Sequence, residues 1–136
     1  PLKIGDRQLA LTFVSMGNPH CVLFVDDTET CPLESHGPVI ETHELFKNRC
    51  NVEFIQILSR NEVNMRVWER GTGETLACGS GAYAAVAACI QNGFTDSEVT
   101  VNLRGGQLKI NWKQDENAIH MTGPACFVFD GIWRNT

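Results

Sequence analysis

Hydrophobic and polar positions alternate with a period of two along most of the chain. The runs LALTFVSM (9–16) and CVLFVDD (21–27) read as strands around a turn at Gly17-Asn18-Pro19-His20. NVEFIQILS (51–59) and EVNMRVWER (62–70), separated by two residues, predict an antiparallel hairpin. EVTVNL (98–103) and QLKINWK (107–113) predict another, with Gly105-Gly106 supplying positive φ at its turn. AIHMTG (118–123) and ACFVFDGIW (125–133) predict closing strands.

Two segments break the alternation. PLESHGPVIETHELFK (32–47) predicts a helix, interrupted or delayed by Gly37-Pro38. GSGAYAAVAACIQN (79–92) is small and apolar nearly all round and is followed by Gly93, which suits a helix stop. A helix with alanine at 82, 84, 85, 87 and 88 has no polar face to give to water, so strands must pack it closely on most sides. The predicted fold is α+β: a mostly antiparallel, roll- or barrel-like sheet wrapped around a central Ala-rich helix, in one domain over 1–136. No linker, repeat or low-complexity segment interrupts it.

Composition narrows the function. A chain of 136 residues forms one domain and buries a real core without disulfide or metal staples. With 11 Lys+Arg against 16 Asp+Glu the net charge is −5, which argues against nucleic acid or an anionic membrane as partner. No apolar run reaches the roughly 20 residues of a membrane span. The opening PLKIGDRQLALTF carries no basic segment followed by an apolar block, so a cytoplasmic location is expected. The first residue is proline, and the expectation is that the chain is a piece of a longer polypeptide that shares its function. The six cysteines, at 21, 31, 50, 78, 89 and 126, form no CxxC and no Cys/His cluster; free thiols and no metal site are expected. Five of them read as small buried apolar side chains.

Cys78 has a different setting. In ERGTGETLACGSGAYAAVAA (69–88) a strand ends at Glu69-Arg70, a Gly-rich loop follows, and Cys78 stands directly before Gly79-Ser80-Gly81 and the buried helix. The first-turn N–H groups of a helix lack intrahelical acceptors, glycines let an anion approach them, and the helix dipole adds positive potential. A substrate carboxylate is held well there, and the same field is expected to lower the Cys78 pKa. A thiolate beside a bound carboxylate suits removal of the proton on the carbon between them. Two other readings stand beside this one. Gly79-x-Gly81-x-x-Ala84 matches a dinucleotide fingerprint, although Glu74 and Thr75 interrupt what should be a buried strand and the surroundings are hairpins. Alternatively, the glycines serve close packing and Cys78 is a small buried residue. Asn18 and His20 read either as turn chemistry with a surface histidine, or as an amide for a polar ligand with a histidine that tunes a titrating neighbour. Asn51 is equally ambiguous. Glu69 and Arg70 read as an exposed pair, or Arg70 as a bidentate carboxylate clamp. His36, His43 and His120 read as structural.

The runs MGNPHCVLFVDD (16–27), NVEFIQ (51–56), ERGTGETLACGSGA (69–82) and MTGPA (121–125), with the final FDG, closely resemble the C-terminal half of diaminopimelate epimerases. The resemblance implies interconversion of LL- and meso-2,6-diaminopimelate, in lysine and peptidoglycan precursor synthesis, without pyridoxal phosphate or metal. It implies two pseudo-symmetric halves, each a β-rich roll around a helix, with the substrate between them and a homodimer as the usual assembly. Two cysteines on opposite faces of the α-carbon exchange its proton. Carried over by motif, Cys78 is a proton acceptor/donor, and His20 and Glu69 adjust thiol protonation. Asn18, Asn51, Glu69 and Arg70 bind the polar ends of the substrate, and the N–H groups of Gly79 and Ser80 bind the reacting carboxylate. The partner Ala-Cys-Gly-Asn-Gly motif does not occur in this sequence, so the chain alone is expected to be inactive. A proline or hydroxyproline epimerase and a non-catalytic carboxylate-binding module are the alternatives. Asn18, Asn51 and Arg70 favour diaminopimelate, whose second amino-carboxylate needs additional polar partners.

Overall fold

The computed structural model describes residues 2–4 and 7–135. Strands β1 (Leu2–Ile4) and β2 (Arg7–Leu9) form a separate antiparallel ribbon. The main sheet is built from β3 (Thr12–Ser15), β4 (Pro19–Phe24), β5 (Asn51–Ser59), β6 (Glu62–Glu69), β7 (Gly73–Thr75), β8 (Glu98–Leu103), β9 (Gly106–Lys113) and β10 (Ala118–Thr122). Helix α1 (Leu33–Glu41) links β4 to β5, and α2 (Gly79–Gln91) stands between β7 and β8. The strand order is β10-β9-β8-β6-β5-β4-β3, with β7 beside the far end of β6. The sheet is mixed: β4–β5 and β6–β8 are parallel, each joined through a helix, and the remaining pairs are antiparallel.

The two helices cover opposite faces. Ala82, Ala85, Val86, Ala88 and Cys89 of α2 pack on Val22, Ile55, Val63, Met65, Val67, Val101 and Ile110. Leu33 and Ile40 of α1 pack on Cys21, Leu23, Val52 and Phe54. Strands β4 and β5 lie between both helices, so Asn51 to Ile55 are buried in succession rather than alternately. The alanines let α2 lie close to the sheet, as the sequence predicts. The described residues include no helix long and apolar enough to cross a membrane.

Several local expectations are corrected. Helix α1 runs through Gly37-Pro38 and stops at Glu41, and residues 42–49 form successive turns (His43 N–H to Ile40 O, Phe46 to His43, Arg49 to Phe46). Gly37 is there for contact: a Cβ would meet the Trp68 ring at 2.7 Å. Strand β4 begins at Pro19, inside the expected turn. The short β7 answers to no hydrophobic pattern; it is set by pairing Val67↔Thr75 and Glu69↔Gly73. The expected strand over 125–133 does not form. Pairing with β9 ends at Thr122, and Pro124 has no N–H to continue a ladder. The following Phe127, Val128, Phe129, Ile132 and Trp133 are exposed, Phe127 at 98%. Cys126, expected inside, is exposed with them, and Cys31 is half-buried.

Buried Glu41 ties α1 to the β6–β7 turn. Its carboxylate accepts from Trp68 Nε1 (2.8 Å), the Gly71 N–H (2.8 Å) and Arg49 Nη1 (3.3 Å). Burial pushes its pKa up, but these three donors outweigh burial and hold it below the ordinary carboxylate value. Its stabilising effect is therefore present above the unfolded-state pKa and is lost as pH falls through the lower folded-state value. Glu41→Gln is expected to cost about 2 kcal/mol near neutral pH, because an amide N–H then faces donors. Urea melts at pH 7 and pH 4 check this: the variant's deficit shrinks on acidification.

Candidate functional site

The starts of β4 and β5, the end of β6 and the N-terminus of α2 meet at one end of the sheet. The register His20↔Asn51 and Val52↔Trp68 brings them level. All eight residues singled out in the sequence gather there. Asn18 Nδ2 reaches Ser80 Oγ at 3.5 Å, and Asn18 Oδ1 faces His20 Nε2 at 3.1 Å. Asn51 is a bracket: its Nδ2 donates to Pro19 O at 3.3 Å and its Oδ1 accepts the Arg70 N–H at 2.9 Å. Glu69 accepts from Thr75 Oγ1 at 2.5 Å, which ties the end of β6 to the loop carrying Cys78. The Arg70 guanidinium is exposed and donates to Asn48 O at 3.2 Å.

Cys78 is the N-cap of α2, in extended conformation (φ −143°, ψ 109°), and its Sγ accepts the Gly81 N–H at 3.3 Å. Ser80 Oγ stands 3.7 Å from the same sulfur. The first intrahelical bond is Ala82 N–H to Cys78 O, so the N–H groups of Gly79 and Ser80 precede the ladder and are left for a ligand. The two glycines differ. A Cβ on Gly81 would stand 2.9 Å from Glu53 Oε1, 3.0 Å from Met65 Cε and 3.1 Å from Cys78 Sγ, so this glycine serves close packing. A Cβ on Gly79 would make only ordinary contact with Met121, at 3.6 Å.

The expected lowering of the Cys78 pKa is overturned. Burial raises it and the charges of Glu69 and Glu53 add to that, while the hydrogen bonds from Ser80 and Gly81 pull down by less. The group rests as a thiol. Iodoacetamide at neutral pH is accordingly expected to label exposed Cys126 ahead of Cys78. Labelling of Cys78 should keep rising with pH beyond the ordinary thiol range of about 8–9. Mass spectrometry of the labelled peptides reads both, and preferential labelling of Cys78 at pH 7 would show the helix terminus winning over burial.

His20 is no surface residue. It is 1% exposed, and its Nδ1 lies 2.6 Å from Glu53 Oε1. Sequence reasoning missed Glu53, which is fully buried at the centre of the sheet. The signal was available: a carboxylate between Val52 and Phe54, in a strand whose neighbours are all apolar, has to be paired or functional.

The dinucleotide reading fails on topology. β7, before the loop, is antiparallel to β6, and β8, after α2, pairs with β6 rather than β7. A cavity of about 730 Å³ lined by Leu9, Leu11, Phe24, Asp27 and Phe94 lies elsewhere and includes none of these eight residues.

A family model described as diaminopimelate epimerase matches residues 12–128. The diaminopimelate epimerase of Agathobacter rectalis is 54% identical over 131 residues, covering 96% of this chain and 46% of the relative. That of Heliobacterium modesticaldum is 50% identical over 130 residues, with the same coverage of 96% and 46%. The chain thus spans about half the length of the curated relatives it matches. Among solved structures, a PhzF-family phenazine biosynthesis protein of Bacillus anthracis has a TM-score of 0.53 at 19% identity, over 76% of this chain and 34% of that one. A putative phenazine biosynthesis PhzC/PhzF protein of Clostridium difficile has a TM-score of 0.54 at 20% identity, over 77% and 39%. These two share the fold.

Proposed function

The chain belongs to the diaminopimelate epimerase family, and on that premise we propose that it is one half of an enzyme interconverting LL- and meso-2,6-diaminopimelate, with Cys78 as the acid/base group on one face of the α-carbon. The observation that carries this reading is the placement of the Cys78 sulfur beside the unbonded N–H groups of Gly79 and Ser80, at the mouth of a buried helix.

The α-proton of an amino acid is very weakly acidic. As it leaves, negative charge spreads from the α-carbon into the carboxylate. Oriented N–H groups and the dipole of α2 stabilise that charge without reorganising. Cys78, resting as a thiol, gives its proton to the carbanion and is left as thiolate. A thiolate on the opposite face, from the remainder of the protein, has taken the original proton. The reverse reaction exchanges the two roles. No cofactor enters this scheme.

Arg70 offers donors to the far amino-carboxylate, with Glu69 as acceptor for its ammonium and Asn51 holding the Arg70 backbone in place, while Asn18 lies beside Ser80 at the start of α2, where its amide faces the reacting carboxylate. His20 and Glu69 adjust the thiol, Glu69 by the charge that raises it. The six free thiols suit a reducing cytoplasm. The uncovered apolar run at Phe127–Trp133 accords with a further part of the protein lying against this one.

The test is to join the chain to the remaining half found in its relatives and to offer diaminopimelate and hydroxyproline side by side. Loss of optical purity of LL-diaminopimelate supports the proposal. Turnover of hydroxyproline alone, or of neither, overturns it.

A further inference from the structure

Glu53 has no part in the scheme above, yet it occupies an expensive position. It is 0% exposed, and its side chain points to the α2 face, where its Oε1 and Cys78 Sγ border the same missing methyl of Gly81. Its Oε2 has no hydrogen-bond partner among the described residues. A buried carboxylate that cannot reach water costs several kcal/mol unless it is paired or protonated.

Asn18 Oδ1 only accepts, so the His20 Nε2 facing it at 3.1 Å carries hydrogen. One further proton lies between His20 Nδ1 and Glu53 Oε1, 2.6 Å apart. Placed on nitrogen, it makes an imidazolium–carboxylate pair; placed on oxygen, it makes a carboxylic acid donating to a neutral imidazole. Both arrangements keep Nε2–H. With its oxygen committed to His20, Asn18 turns its nitrogen toward α2, where it lies 3.5 Å from Ser80 Oγ. An anion at the start of α2 then meets a donor and not an acceptor. The opposite arrangement, with Nδ1–H donating to Glu53 and a bare Nε2, would rotate the Asn18 amide and present oxygen to that anion.

We propose that Glu53 is a positioning residue: sharing one proton with His20, it anchors the imidazole with Nε2–H toward Asn18 and thereby turns the Asn18 amide nitrogen toward the carboxylate site at the start of α2.

That site is the one assigned under the proposed function, but the histidine spectrum does not depend on catalysis, so either idea can fail alone. The chain is labelled with ¹⁵N-histidine and the imidazole nitrogens are read by NMR, with circular dichroism to confirm folding. The wild type and Glu53→Gln, whose amide can still donate to Nδ1, are expected to show His20 with a protected Nε2–H. Glu53→Leu is expected to lose that protection. A bare Nε2 in the wild type, or a Glu53→Leu spectrum identical to the wild type, overturns the proposal. If Glu53→Leu does not fold, Nε2–H in both wild type and Glu53→Gln supports it and a bare Nε2 in either overturns it. In the protein carrying both halves, Glu53→Leu should raise KM about tenfold or more while Glu53→Gln restores most of the loss, as expected for one hydrogen bond to a charged group. A lowered kcat with KM unchanged would contradict the positioning role.

Discussion

Replacing Cys78 by serine, in a polypeptide that carries both halves, is expected to lower kcat for diaminopimelate epimerisation by about a hundredfold to ten-thousandfold, the range attributed to a positioned acid/base group. Serine is the sharper choice than alanine. Cys78 is the N-cap of α2 and its sulfur accepts the Gly81 N–H. Serine is among the preferred N-cap residues, so the helix start is kept or strengthened. The hydroxyl is too weak an acid to give up its proton as a thiol does. Loss of activity with an unchanged or raised melting temperature would therefore locate the effect in proton transfer and not in folding. Activity within about tenfold of the wild type would remove Cys78 from the chemistry.

The 136-residue chain by itself is expected to show no turnover. One thiol on one face can donate or remove a proton, but inversion needs a second group opposite it. The elements described here build only one side of the site. The Arg70 guanidinium is exposed and Cys78 only half-buried, so water reaches the place where charge would develop and weakens each electrostatic contribution. Mixing in the remaining half should restore activity, read as the change in optical rotation of LL-diaminopimelate. Turnover by the chain alone near that of the two-half protein would refute the two-sided scheme.

The architecture was legible where one physical effect dominates a segment. A helix that is small and apolar nearly all round admits no solvent face, so α2 and its burial follow directly. Alternating strands with tight turns yield the β5–β6 and β8–β9 hairpins. Expectations failed where two effects compete. Gly37-Pro38 reads as a break, yet α1 runs through both, and Gly37 serves the close contact with the Trp68 ring. ACFVFDGIW reads as a closing strand, yet strand formation needs a partner edge, and pairing stops at Thr122. At the site, the local pattern singled out Cys78–Ser80, while Asn18, His20, Asn51, Glu69 and Arg70 stayed ambiguous until the resemblance to diaminopimelate epimerases implied that they belong with it. The pattern could not show that Gly81 is demanded by packing against Glu53 while Gly79 is not. Nor could it weigh burial and two nearby carboxylates against a helix terminus at Cys78, a contest decided by distances that appear only in three dimensions.

Entry of solvent deuterium at the α-carbon tests the central claim most directly. Proton NMR follows the α-signal of diaminopimelate in D₂O, in the presence of the protein carrying both halves. Proton delivery by Cys78 predicts deuterium in the product of the wild type and none above background with Cys78→Ser. Undiminished formation of deuterated, inverted product by the serine variant would contradict it.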